Sequence, residues 1–200
     1  MLFVSVLRRT AEEKEGTVMA RYITTYTGAH FYPTEPRAED ICIEDIAHSL
    51  SMLCRANGHY RRFYSVADHC IDCAAEAEAR GLGDRMVMFC LLHDAAEAYI
   101  SDIPRPVKRE LAGIDETEER LICMIFEKFA GRLPDAAEMK QIREIDDAML
   151  FHEFKANMGE ILGQAEIKAK RTFETRPPET AESEFLELFE RIEKALHRAL

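Results

Sequence analysis

An all-α bundle of about six or seven helices is the fold this sequence predicts, on three observations. Ala, Leu, Glu and Met are plentiful, while Trp is absent and only nine Gly are present, a balance that favours helices over strands. From about residue 41 onward the apolar residues recur at helical spacing. The Gly and Pro residues fall mostly between those stretches, where helices stop and start.

The elements follow in order. Residues 1–20 read as an extension, a short apolar run followed by a charged stretch, with Met19 as an alternative start. Residues 21–40 hold two Pro, one Gly and several aromatics and read as irregular with a short strand pair. Ile46, Leu50, Leu53 and Cys54 form one helical face, stopped near Gly58. Ser65 followed by Asp68 has the form of a capping box, opening a helix through His69, Cys73 and Ala77 to Gly81. Asp84 is placed to cap a third helix carrying Phe89, Cys90, His93, Ala96 and Ile100, which must stop before Pro104. Pro106 suits the first turn of a short helix to about Leu111. Residues 115–130 repeat the period and close at Gly131, and Pro134–Asp135 open a long helix to about Met158. Pro177–Pro178 precede a last helix whose stripe of Phe185, Leu188, Phe189, Ile192 and Leu196 reads as core or dimer packing. Residues 21–200 thus read as a single domain.

Charge and cysteines narrow the function. The chain has 200 residues, with 26 Lys and Arg against 37 Asp and Glu, a formal charge of −11. So acidic a surface repels a long polyanion, which argues against a nucleic-acid coat. The six cysteines lie within helix-like apolar patterns, so reduced, mostly buried thiols are expected rather than a disulfide framework. Cys70-Ile71-Asp72-Cys73 is a C-x-x-C spacing, but it falls mid-helix without a second pair and reads as core. The first ten residues have their basic residues after the apolar ones, opposite to a secretory signal, and no run approaches a membrane span. A cytoplasmic protein, away from membranes, is the expectation.

The chemistry concentrates in residues 89–108, FCLLHDAAEAYISDIPRPVK. His93 and Asp94 are adjacent, and Glu97 lies four residues after His93, so a helix would turn His93 and Glu97 to one face. Three such groups on an otherwise apolar helix demand partners, because burying them unpaired costs several kcal/mol. Arg61-Arg62 reads as a solvated loop pair. His30, His48, His59, His152 and His197 carry no comparable context.

The run H-D-x-x-E-x-x-x-x-D-x-P-x-P-x-K resembles the HD-domain metal-dependent phosphohydrolases, most closely their bacterial 5'-deoxynucleotidase (YfbR-like) branch. The resemblance covers about residues 40–160. The Ser65-Val66-Ala67-Asp68-His69 stretch is similar to the segment that supplies the family's earlier His, 24 residues before His93. The last Asp of the family's set falls in Glu144-Ile145-Asp146-Asp147-Ala148. Period alone leaves both acids open, since Asp146 aligns with Ile142 and Met149, and Asp147 with Leu150, Phe151 and Phe154. The family's Asp is usually followed by Ala, which favours Asp147.

The resemblance therefore implies a metal site of His69, His93, Asp94 and Asp147. It also implies a proton-handling carboxylate at Glu97 and substrate contacts at Arg55, Asp102 and Lys108, with Arg105 able to offset phosphate charge. A mixed nitrogen and oxygen set suits one divalent transition ion (Mn, Co, Fe, Ni or Zn) better than Ca. Such an ion lowers the pKa of its water and polarises a phosphoryl group. The implied activity is phosphomonoester hydrolysis of (deoxy)nucleoside 5'-monophosphates or similar small phosphates, in a possible homodimer. The rivals are a pyrophosphohydrolase or triphosphohydrolase of the same superfamily and a non-catalytic nucleotide-binding module. The Trp that borders the sugar in the family has no counterpart here, because the chain has none.

Overall fold

A computed structural model of the protein describes residues 21–198. The expected extension at residues 1–20 lies outside the described residues. The fold is all-α. A minimal antiparallel pair, β1 (Ile23–Thr24) and β2 (His30–Phe31), is followed by α1 (Ile43–Met52), α2 (Val66–Ala79), α3 (Asp84–Leu92) and α4 (Glu97–Ile100). Then come α5 (Arg105–Lys108), α6 (Ile114–Ala130), α7 (Ala136–Asn157) and α8 (Pro178–Arg198). Six of these helices run nine residues or longer; α4 and α5 are single turns.

The central element is α2, with α1, α3, α7 and α8 packed around it. Its sequence explains that position. Ala67, Cys70, Cys73, Ala74 and Ala77 are small and buried, so neighbouring helices approach closely on several sides. The expected capping box opens it: Ser65 Oγ accepts from the Asp68 N–H, and Asp68 accepts from the Ser65 N–H. Asp135 and Glu138 form a second box at the start of α7. In α8 the stripe Phe185, Phe189 and Ile192 is buried against α1, α2 and α3, so it is core.

One face of α2 is charged yet buried. Asp68, Asp72 and Glu76 project from successive turns and meet the irregular segment 159–177. Arg176 donates to Asp68 and Asp72, Arg171 donates to Asp72, and the backbone N–H groups of Lys168 and Ala169 donate to Glu76. Ion pairs and backbone hydrogen bonds there do what a packed helix does elsewhere on α2, satisfying groups that could not be buried alone.

Three local expectations are corrected. First, α1 ends at Met52; Cys54 is exposed and pairs with Ser65 in an isolated antiparallel bridge. That bridge closes a loop whose Ala56 and Asn57 both take left-handed backbone (φ 53° and 52°), a conformation that costs about 1–2 kcal/mol per residue without Gly. Second, Gly83 rather than Asp84 occupies the N-cap of α3. Third, the helix carrying His93 does not run unbroken to Ile100. It stops at Leu92, and a tight turn leads into α4 through i→i−3 bonds from Ala95 N–H to Leu92 (2.9 Å) and Glu97 N–H to Asp94 (3.0 Å). All six cysteines are free thiols, and Cys70, Cys73 and Cys90 are the buried ones. No helix among the described residues is long and apolar enough to cross a membrane.

Candidate metal centre

Two imidazoles set the geometry. His69, in the first turn of α2, is fully buried, and its Nδ1 lies 2.5 Å from Glu153 Oε1 of α7. His93, at the end of α3, has Nδ1 2.8 Å from the Cys90 carbonyl. A carbonyl only accepts, so His93 carries its proton on Nδ1 and leaves the Nε2 lone pair free. The Glu153 carboxylate draws the Nδ1 proton of His69 in the same way.

The two Nε2 atoms face each other at 3.2 Å. Asp94 Oδ2 lies 3.6 Å from His69 Nε2 and 3.4 Å from His93 Nε2, and Asp146 Oδ1 lies 3.1 Å and 3.9 Å from the same two atoms. Both carboxylate oxygens therefore lie 3.1–3.9 Å from the paired Nε2 atoms, with no donated proton assured among the four. That arrangement is repulsive unless a cation lies between them. Donors 2.0–2.2 Å from one ion are separated by roughly 3–3.5 Å, and the spacing here is of that size. The residues present fit a divalent transition ion. Without one, a proton serves: burial and the Arg55 charge disfavour a charged His69, but Glu153 and Asp146 push it well above its usual value. Burial likewise opposes ionisation of Asp146, yet the His69, His93 and Arg55 charges hold its carboxyl below the ordinary range.

Asp147 is not part of this cluster, contrary to the sequence expectation. The buried row of α7 runs Ile142, Ile145, Met149, Glu153 and Asn157, and Asp146 points with it towards α2. Asp147 is turned 100° away, about half exposed, and binds Arg105 NH1 at 2.9 Å. The same guanidinium holds Asp146 Oδ2 at 2.7 Å, leaving Oδ1 for the centre.

Cys73 is near enough to join His69 and His93, and Cys70 to join His93 and Asp94. Cys73 Sγ, however, is 3.6 Å from His69 Nε2 and 3.9 Å from Nδ1. Being almost equidistant, it lies beside the ring rather than ahead of the Nε2 lone pair. Burial also pushes its thiol up to about 12, so it is protonated at neutral pH.

The centre adjoins, through Asp94 and Asp146, a cavity of about 560 Å³. Arg55, Glu97, Asp102 and Lys108 all line it, as do Asp94 and Asp146. In the tight turn after Leu92 the residues recur at about three per turn, which brings Asp94 and Glu97 into line. Glu97 thus shares the face of Asp94 rather than that of His93. Glu97 Oε2 and Asp102 Oδ2 are buried and find no partner among the described residues. Burial, with Asp94 and Asp102 nearby, raises Glu97 well above the usual carboxyl range. Arg55 sits between Asp94 Oδ2 (3.3 Å) and Glu153 Oε2 (3.5 Å), with its Nε unpartnered. Lys108 pairs with Glu118 at the outer wall.

Glu153 is the residue the sequence reading missed. It is fully buried, and it touches His69, Arg55 and the Tyr60 hydroxyl (3.4 Å). The His69 and Arg55 charges outweigh its burial and keep its carboxyl below the usual range. Its signal was present: it lies seven residues, two helical turns, after Asp146.

Comparison with known proteins gives the family. The sequence model of the HD domain matches residues 61–199. The chain is 42% identical over 108 residues to the uncharacterized protein YfdR of Escherichia coli, a match covering 54% of this chain and 58% of that relative. It is 33% identical over 145 residues to an uncharacterized protein of Rhodobacter capsulatus, covering 70% and 72% of the two chains. With the family's sequence pattern spanning well over half of its length and an all-α fold that gathers the His-Asp motif, the chain belongs to the HD-domain family, whose members are generally metal-dependent phosphohydrolases.

Proposed function

We propose that the chain is a phosphomonoesterase acting on (deoxy)nucleoside 5'-monophosphates or similar small phosphate esters. One divalent transition ion would be held by His69, His93, Asp94 and Asp146. The observation that carries this reading is the meeting of the His69 and His93 Nε2 atoms with carboxylate oxygens of Asp94 and Asp146, the two acids lining a cavity of about 560 Å³, a volume in the range of small-molecule sites. When bound, the ion neutralises charge on phosphoryl oxygens and acidifies coordinated water.

The remaining work falls to the protein's own groups. Arg55, buried between Asp94 and Glu153, supplies fixed positive charge beside the reacting phosphate. Glu97 holds a proton on a carboxyl whose Oε2 has no partner among the described residues. From there it can pass the proton to the leaving alcohol oxygen. Asp102 Oδ2, also unpartnered, offers a contact to a sugar hydroxyl. Ile103, Pro104, Leu150 and Phe154 make an apolar wall against which a base ring can lie while water is excluded.

A panel of nucleotides tested against Mn, Co, Mg and Zn, read by phosphate release, checks the reading. Orthophosphate from 5'-monophosphates is the expected result. Pyrophosphate released from triphosphates alone would replace it with a pyrophosphohydrolase. Binding without release under every metal would replace it with a nucleotide-binding module.

A further inference from the structure

The connection between α4 and α6 has an unusual balance of contacts. Between Ser101 and Gly113 no residue is buried, although the segment contains Ile103, Val107 and Leu111. Its central turn, α5, packs a side chain into no core. Yet Asp102, Ile103, Pro104, Arg105, Pro106 and Lys108 together form a whole side of the cavity. What fastens them to the body is electrostatic. Arg105 spans Asp146 (2.7 Å) and Asp147 (2.9 Å) of α7, and Lys108 pairs with Glu118 of α6.

Both ends of the segment have hinge character. Ser101 lies at φ 79°, ψ 157°, a region populated almost only by Gly, and Gly113 takes φ 80°. The Ser101 strain persists only while something holds the segment down, and burial does not. A segment with few buried apolar contacts opens at low free-energy cost.

We propose that residues 102–112 are a lid over the cavity, hinged at Ser101 and Gly113 and latched by Arg105, with Asp147 as the latch anchor on α7. The adjacent acids then divide the labour: Asp146 turns one oxygen to the metal centre, and Asp147 serves the latch alone. The inference rests on the cavity being the substrate site, because only then does opening and closing govern access.

Hydrogen exchange of the full chain tests the latch without any need for turnover. In Asp147→Asn the peptides of 102–112 should exchange about two- to fivefold faster, the loss expected for one exposed ion pair. In Arg105→Ala, which loses both contacts, the increase should reach about tenfold, and Arg105→Lys should restore part of it. Peptides of α2 and α3 should exchange as in the wild type. Unchanged exchange of 102–112 in Arg105→Ala overturns the latch, and so does an increase spread evenly over all helices. A chain with this exchange pattern that releases no phosphate refutes the phosphatase reading and leaves the latch standing. Phosphate release with an arm indifferent to Arg105 refutes the latch alone.

Discussion

Glu97→Gln should retain metal binding while losing about 10²–10⁴-fold in phosphate release, the range assigned to a positioned acid or base. The side chain keeps its shape, so the cavity wall at Glu97 stays in place, and none of the four donor atoms belongs to it. What disappears is a titratable proton at a buried carboxyl whose Oε2 is unpartnered among the described residues and which burial, Asp94 and Asp102 push upward. Steady-state kinetics alongside a metal titration separates the two effects. Full activity in Glu97→Gln would remove the proton-handling role.

Glu153 variants should show the second-largest effect. Glu153→Ala strips a partner from His69 and from Arg55 at once, leaving the buried His69 Nδ1 without its acceptor and Arg55 with Asp94 as its remaining ion-pair partner among the described residues. Breaking a buried pair in this way costs about 3–5 kcal/mol, to be read as a lower urea midpoint. Glu153→Gln is the cleaner probe, because it keeps an acceptor for the His69 Nδ1 proton but not the charge. Removing an outer partner of a ligating His typically costs about 10–100-fold in metal affinity, and that loss is expected here. Wild-type affinity and stability in Glu153→Gln would reduce the residue to a space filler.

Much of this was legible in the sequence, for reasons that are local. The capping box at Ser65, the helix start at Pro134–Asp135, the stops at Gly81 and Gly131 and the buried stripe of α8 all follow from spacing and backbone chemistry. The convergence of His69 with His93–Asp94 was carried by the family resemblance, and one helix, a turn and a second helix between them deliver it. The misses have a common cause, which is that orientation is decided by packing. Asp146 and Asp147 sit one residue apart on a helix with apolar residues in both rows. The approach of α2 and α3 makes the Ile142–Met149–Glu153 row the buried one. The break after Leu92 carries no Gly or Pro to announce it, yet it moves Glu97 from the His93 side to the Asp94 side. Glu153 reads as one more surface acid in a chain rich in them until it is found between an imidazole and a guanidinium.

That the metal centre is built from His69, His93, Asp94 and Asp146 is tested most directly by titrating Co(II) into the wild type, Asp146→Asn and Asp147→Asn. One ion per chain is expected in the wild type. Asp147→Asn should bind within a few-fold of it, because Asp147 is turned away from the two imidazoles and pairs with Arg105. Asp146→Asn should weaken binding by about two orders of magnitude or more, roughly 3 kcal/mol at 1.4 kcal/mol per tenfold change. Retention of the ion by Asp146→Asn together with its loss from Asp147→Asn would contradict the assignment.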